Sequence, residues 1–344
     1  MSFLYPLSSS RTVDPNAINP ARSRMSQQLT HNRPVLACRF DPSGQFVFAG
    51  AQDFGIHRWN LSNGNKTTMN GHQSWARALA FVPNPAQTIT GAYDGTIIWW
   101  STTAENPTPI RTVEGHNGWV RSLAVSPDGC TLASCGNDGL VKLWNTANGN
   151  LIRTLTGHER HVYNVAFHPG GEFLVSGDLM GRVKQWNVSN GEEVRSFDAG
   201  ALHRYDNTFR ADIGGIRGID FNADGSLLAC AGITNVSNAF AGVGNPAVLL
   251  FDWQTGQRRQ ILRPRQAFRG TAWGVRFHPE GFLVAAGGGS GGAMWFWRPT
   301  TEQSFATVRL PNNAYDLDLH RDGFRMAIPF YDNKLRVYDL RPNA

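Results

Sequence analysis

Residues 115–145 read GHNGWVRSLAVSPDGCTLASCGNDGLVKLWN, and the order of marks in that stretch decides the fold. Gly115-His116 opens it. An apolar alternating run follows over 120–125, then Pro127-Asp128-Gly129, a second run carrying Ser134, an Asp138-Gly139 turn, and a third run closing on Trp144-Asn145. Alternation with a period of two, broken by Gly-bearing turns, is the pattern of short antiparallel strands.

The closing aromatic recurs in both directions, at Trp59, Trp100, Trp144, Trp186, Trp253, Trp297 and Tyr338, with successive differences of 41, 44, 42, 67, 44 and 41. The Gly-His mark is clear at His72, His116 and His158. A period near 40–45 with such marks is the signature of a propeller. Each repeat supplies a four-stranded sheet that buries both faces only against its neighbours, so the units stack around an axis.

This pattern resembles the WD40 family over about residues 24–344. The resemblance implies an all-β chain: a seven-bladed β-propeller of four-stranded antiparallel blades, strands a to d running outward from the axis. Two marks depart from it. Trp-Asp is mostly Trp-Asn, as at Trp59-Asn60, Trp144-Asn145 and Trp186-Asn187, and the late repeats lack a clear Gly-His. The last repeat ends right after its third strand, so residues 24–29 are expected to supply the outer strand of blade 7 and close the ring, removing free sheet edges. Residues 1–22, rich in Ser, Pro and Asn, are expected to be an N-terminal tail, and 23–344 the propeller.

The resemblance further implies a buried hydrogen-bonded set that locks each blade: the His of Gly-His, a hydroxyl on strand b, the Asp of the b–c turn and the Trp of strand c. These fall on His72, Thr90, Asp94 and Trp100 in the second repeat, and on His116, Ser134, Asp138 and Trp144 in the third. In the first, Ala49 replaces the hydroxyl beside Asp53. In the fourth, Met180 takes the Asp position.

Composition narrows the function. The 344 residues are 41% hydrophobic and 17% charged, with net charge +6, a modest bias toward an anionic partner. No run of eighteen apolar residues exists, so no helical membrane span is expected. The start lacks a basic n-region with a long apolar core, so no signal peptide is read. Four cysteines without a CxxC pair suit the cytoplasm or another reducing compartment.

No catalytic constellation is visible, so an enzyme, a cofactor and a small-molecule substrate are not expected. His158-Glu159-Arg160-His161 lacks the i, i+4 histidines of a zinc helix, and no metal site is expected. The run 287–292 (GGGSGG) lacks the Lys-Ser/Thr of a phosphate cradle and reads as a flexible b–c turn in blade 6.

The candidate site is the top face, where d–a and b–c loops gather. Counting along strand a gives an outer ring that includes Trp75, Trp119 and His161. An inner ring carries Arg77, Arg121, Tyr163, Arg217, Trp273 and Tyr315. The resemblance implies peptide binding around this funnel, and Arg with aromatics matches binding hot spots. The fifth repeat adds two long top-face loops, about 197–214 and 232–246. The leading expectation is an interaction scaffold for a protein or peptide, acidic or phosphorylated. The alternative is polyanion or nucleic-acid binding by Arg258, Arg259, Arg263, Arg265, Arg269 and Arg276, which a charged edge strand also explains.

Overall fold

In the computed structural model, residues 18–238 and 243–341 are described. They form seven four-stranded antiparallel sheets and one two-stranded hairpin. The third blade shows the rule: Val120–Val125, Thr131–Gly136, Val141–Asn145 and Leu151–Leu155 pair in chain order. The outermost strand is wetter than the middle two, whose residues are mostly buried.

Seven hydrophobic clusters lie between consecutive blades, and they account for the ring. Ala78, Ile89 and Trp99 of blade 2 meet Val120, Leu132 and Trp144 of blade 3. The last such cluster joins Ala327, Leu335 and Val337 of blade 7 to Val35, Val47 and Trp59 of blade 1. At about 25 cal/mol per Å² of apolar surface removed from water, these interfaces carry the stability that no single blade possesses.

Ring closure uses the N-terminal strand. Arg24–Thr30 pairs antiparallel with Lys334–Asp339, from Arg24 opposite Asp339 to Thr30 opposite Lys334. Of the tail expected over 1–22, residues 1–17 lie outside the described residues. Ile18 is buried among the apolar side chains between blades 6 and 7, and the Asn19 N–H donates to the Leu340 carbonyl at 2.9 Å.

Two expectations need correction. The run 287–292 is not a flexible turn: Leu283–Gly289 and Gly291–Trp297 pair up to Gly289 opposite Gly291, so five of its six residues are in strands. Its glycines permit close approach. A Cβ on Gly287 would stand 2.0 Å from the Thr271 carbonyl oxygen, and one on Gly292 would stand 1.9 Å from that of Asn312. The fifth repeat's second insertion is likewise ladder, with Gly232 opposite Ala247 and Thr234 opposite Asn245 in strands Leu227–Asn238 and Val243–Asp252. Its first insertion holds a hairpin, His203–Asp206 with Ala211–Gly214.

Candidate functional site

A repeated irregularity builds the inner ring. In five blades, strand a skips one residue in its pairing with strand b: the register jumps from Val35 to Ala37, Ala76 to Ala78, Val120 to Ser122, Val162 to Asn164 and Ala272 to Gly274. The skipped residues are Leu36, Arg77, Arg121, Tyr163 and Trp273. A bulge leaves its extra residue unpaired and re-aims the side chain. Arg77, Arg121, Tyr163 and Trp273, with Arg217 from blade 5, line one cavity of about 50 Å³ in the channel.

Aromatic faces hold the guanidinium groups. Arg121 lies 4.4 Å from the Trp119 ring centroid, 4.7 Å from that of Tyr163 and 5.5 Å from that of Tyr93. Arg217 lies 4.5 Å from Tyr163 and 4.9 Å from Trp273, and Arg77 lies 5.5 Å from Trp273. Trp119 stacks on Tyr93 with centroids 3.8 Å apart and planes 2° from parallel, and Trp75 stands 6.0 Å beyond. On the other side Tyr315 meets Trp273 edge-on at 6.1 Å. Trp75 and Trp119 remain 39% and 38% exposed at the rim. His161 contributes differently, its Nδ1 bonded to the Asn137 carbonyl at 2.6 Å.

Among the described residues, no carboxylate pairs with Arg77, Arg121 or Arg217. Arg121 Nε donates to Asn137 Oδ1 at 2.7 Å, a neutral acceptor. The Nε of Arg217 is buried without a hydrogen-bond partner. Burial first, opposed by Tyr163 and reinforced by the neighbouring Arg77 and Arg121, pushes the Arg217 guanidinium down to about 10. Burial and Arg77 also lower Arg121.

One level lower the channel is built the opposite way. Arg39 Nη1 meets Asp316 Oδ2 at 2.6 Å and Arg276 Nε meets Asp318 Oδ1 at 3.0 Å. Burial opposes the charge on Arg39, but Asp316 and Asp318 together hold its pKa above the ordinary value. Asp220, whose carboxylate accepts the Phe277 N–H at 2.6 Å, is pushed up by burial to about 6. Acidic partners thus stand beside Arg39 and Arg276 in the lower ring, and none of the acids lining the channel pairs with an Arg of the upper ring.

The blade locks sit behind the rim. In blade 3, His116 Nε2 is 2.7 Å from Ser134 Oγ, Trp144 Nε1 donates to the same oxygen at 2.8 Å, and His116 Nδ1 is 2.9 Å from Asp138 Oδ1. In blade 2, His72 Nε2 and Trp100 Nε1 both reach Thr90 Oγ1 at 2.8 Å, with Asp94 Oδ2 3.4 Å from His72 Nδ1. Blade 4 corrects the reading of Met180. Asp178, two residues earlier, reaches His158 Nδ1 at 2.7 Å, and Ser176 Oγ bridges His158 and Trp186.

The WD40 family model, described as WD domain, G-beta repeat, matches residues 23–60, 64–101, 107–145 and 149–187. The chain carries four WD40 repeats in a seven-bladed propeller. A 63-residue stretch is 40% identical to the Periodic tryptophan protein 2 homolog of Neurospora crassa, covering 18% of this chain and 7% of that protein. A 70-residue stretch is 34% identical to the probable serine/threonine-protein kinase PkwA of Thermomonospora curvata, covering 20% of this chain and 9% of that one. These matches span less than a tenth of either relative. WD40 propellers are typically protein-interaction scaffolds. No helix among the described residues is long and apolar enough to cross a membrane.

The six arginines of the alternative patch do not share one surface of the ring. Arg276 lines the channel and is paired with Asp318. Arg258 and Arg259 lie on the outermost strand of blade 5, Arg259 paired with Asp252, and Arg263 is paired with Glu302. Arg265 and Arg269 are exposed in the connection that follows. Sequence reasoning missed Tyr93, which comes from the b–c turn, and His57. The signal for His57 was the absent hydroxyl at Ala49, which it faces across the strand pair.

Proposed function

We propose that this propeller binds a protein or peptide on its top face by inserting an acidic or phosphorylated side chain among Arg77, Arg121 and Arg217. One contrast carries the reading: channel arginines at the lower level have carboxylate partners, and those at the upper level have none among the described residues. Fold stability gives no reason to gather three like charges, whereas a bound anion relieves the repulsion through charge-assisted hydrogen bonds. A cavity of about 50 Å³ holds on the order of three to five water-sized groups. That suits a carboxylate or phosphoryl tip, with the rest of the ligand on the rim formed by Trp75, Tyr93 and Trp119. The blade 5 hairpin stands over blade 4, where Arg160 pairs with Asp212 across 3.1 Å, and flanks the same rim.

The test is a selection of displayed peptides, with and without phosphoserine, on the wild-type protein against the Arg121→Ala/Arg217→Ala variant. Peptides enriched on the wild type are expected to carry an acidic or phosphorylated residue and to bind the variant at least about tenfold more weakly, or 1.4 kcal/mol. Equal binding to both proteins, at equal melting temperature, overturns the proposal.

A further inference from the structure

Blade 1 departs from the locks of blades 2–4: its His31 meets the carboxylate through Nε2, where their histidines use Nδ1. Fully buried Ala49 stands where those blades carry a hydroxyl. His57, directly across the strand pair, fills the space. Two imidazoles therefore face one carboxylate: His31 Nε2 is 2.9 Å from Asp53 Oδ2, and His57 Nε2 is 3.0 Å from Asp53 Oδ1. A donor atom from each of the three lies within 4.8 Å of the other two. The ring centroids are 3.9 Å apart with planes tilted by 43°. Both rings are buried, while the Asp53 side chain is 32% exposed and opens the cluster to solvent.

We propose that His31, Asp53 and His57 form a site for one Zn²⁺, with a fourth position left to water on the Asp53 side. Two imidazoles and a carboxylate with one open position are a zinc donor set. Zinc bonds of about 2.0–2.2 Å in a tetrahedron put donor atoms about 3.3 Å apart; the 2.9 and 3.0 Å separations already present run to the two different oxygens of Asp53, so the carboxylate turns to present one oxygen to the ion. To ligate through Nε2, each neutral ring carries its proton on Nδ1. The Nδ1 of His57 lies 3.1 Å from Thr68 Oγ1, which can accept that proton in a hydrogen bond and hold the ring in place. The Nδ1 of His31 instead faces Lys66 Nζ at 3.4 Å. Exposed Lys66 must swing away when the metal enters, so it antagonises the site.

Lys66 supplies the decisive test, because a purely hydrogen-bonded lock predicts no gain from changing it. Zn²⁺ is titrated calorimetrically into the chelator-treated full chain carrying Cys130→Ser, which removes the one exposed thiol, with Mg²⁺ as control. One Zn²⁺ per chain is expected, with no Mg²⁺ binding. His57→Gln should weaken Zn²⁺ at least tenfold. Lys66→Glu, which supplies an acceptor for His31 Nδ1–H, should tighten it at least threefold. Absence of stoichiometric Zn²⁺ binding overturns the proposal, as does unchanged affinity in folded His57→Gln or in Lys66→Glu. Should His57→Gln not fold, the surface change at Lys66 still decides.

Discussion

Arg39 Nη1 stands 2.6 Å from Asp316 Oδ2 in the same channel where Arg217 has a buried Nε with no partner. The two arginines should therefore respond to the same substitution with opposite signs. Arg39→Met leaves the Asp316 carboxylate its backbone donors but removes its cationic partner, and should destabilise by about 1–3 kcal/mol. Arg217→Met removes a buried, repelled charge and should stabilise by about 1 kcal/mol while abolishing anion binding. Urea unfolding of both variants checks the pair of signs.

Asp178 does in blade 4 what Asp138 does in blade 3, from a position two residues earlier. Asp178→Ala leaves His158 Nδ1 and the N–H groups of Met180 and Arg182 without their acceptor. Each stranded group costs about 1–3 kcal/mol, so Asp178→Ala should destabilise at least as much as Asp138→Ala. Denaturant midpoints compare them directly.

The paired register of Arg24–Thr30 makes closure testable. Deleting residues 24–30 removes buried Leu29 and exposes the full edge of Lys334–Asp339. A lower melting temperature or concentration-dependent association is expected by calorimetry and light scattering.

Gly292→Ala places a methyl 1.9 Å from the Asn312 carbonyl oxygen. Forcing two backbones apart should cost about 1–3 kcal/mol. Ser290→Ala, at the exposed tip of the same hairpin, should be neutral in the same thermal melts.

Asp220 gives the fold a pH dependence of known sign. Its folded pKa, raised to about 6, lies above its ordinary value of 3.8. Between those values the folded state binds a proton that the unfolded chain has released, so this contribution falls as pH rises from about 4 to 6 and stays low above. Asp220→Asn, which still accepts the Phe277 N–H, should gain stability on the order of 2 kcal/mol over wild type at pH 8. The gain should vanish near pH 4 in unfolding curves taken across that range.

The periodic features were legible before the structure. Trp59 to Tyr338 spaced the blades, and counting along strand a found Arg77, Arg121, Tyr163, Arg217 and Trp273. What escaped was either long-range or irregular. Arg39 and Asp316 are 277 residues apart in the chain, and nothing local marks them as partners. Asp178 was hidden by a two-residue shift, because reach and not position makes a hydrogen bond. Tyr93 sits in a turn, outside any alternation. The glycines of 287–292 looked like a flexible loop because composition does not distinguish a chain that must bend from one that another backbone must approach.

The strand that closes the ring also sets a clock. Leu29 pairs with Leu335, so 306 residues must be made before it meets its partner. At about 5–20 residues per second, that is a wait of roughly 15–60 seconds at the ribosome. Six blades can stack in that interval while the opening strand stays unmated. On a crowded message, the strand of a neighbouring nascent chain is a competitor for the same slot, and the exchange of that one strand would link two rings into a swapped pair.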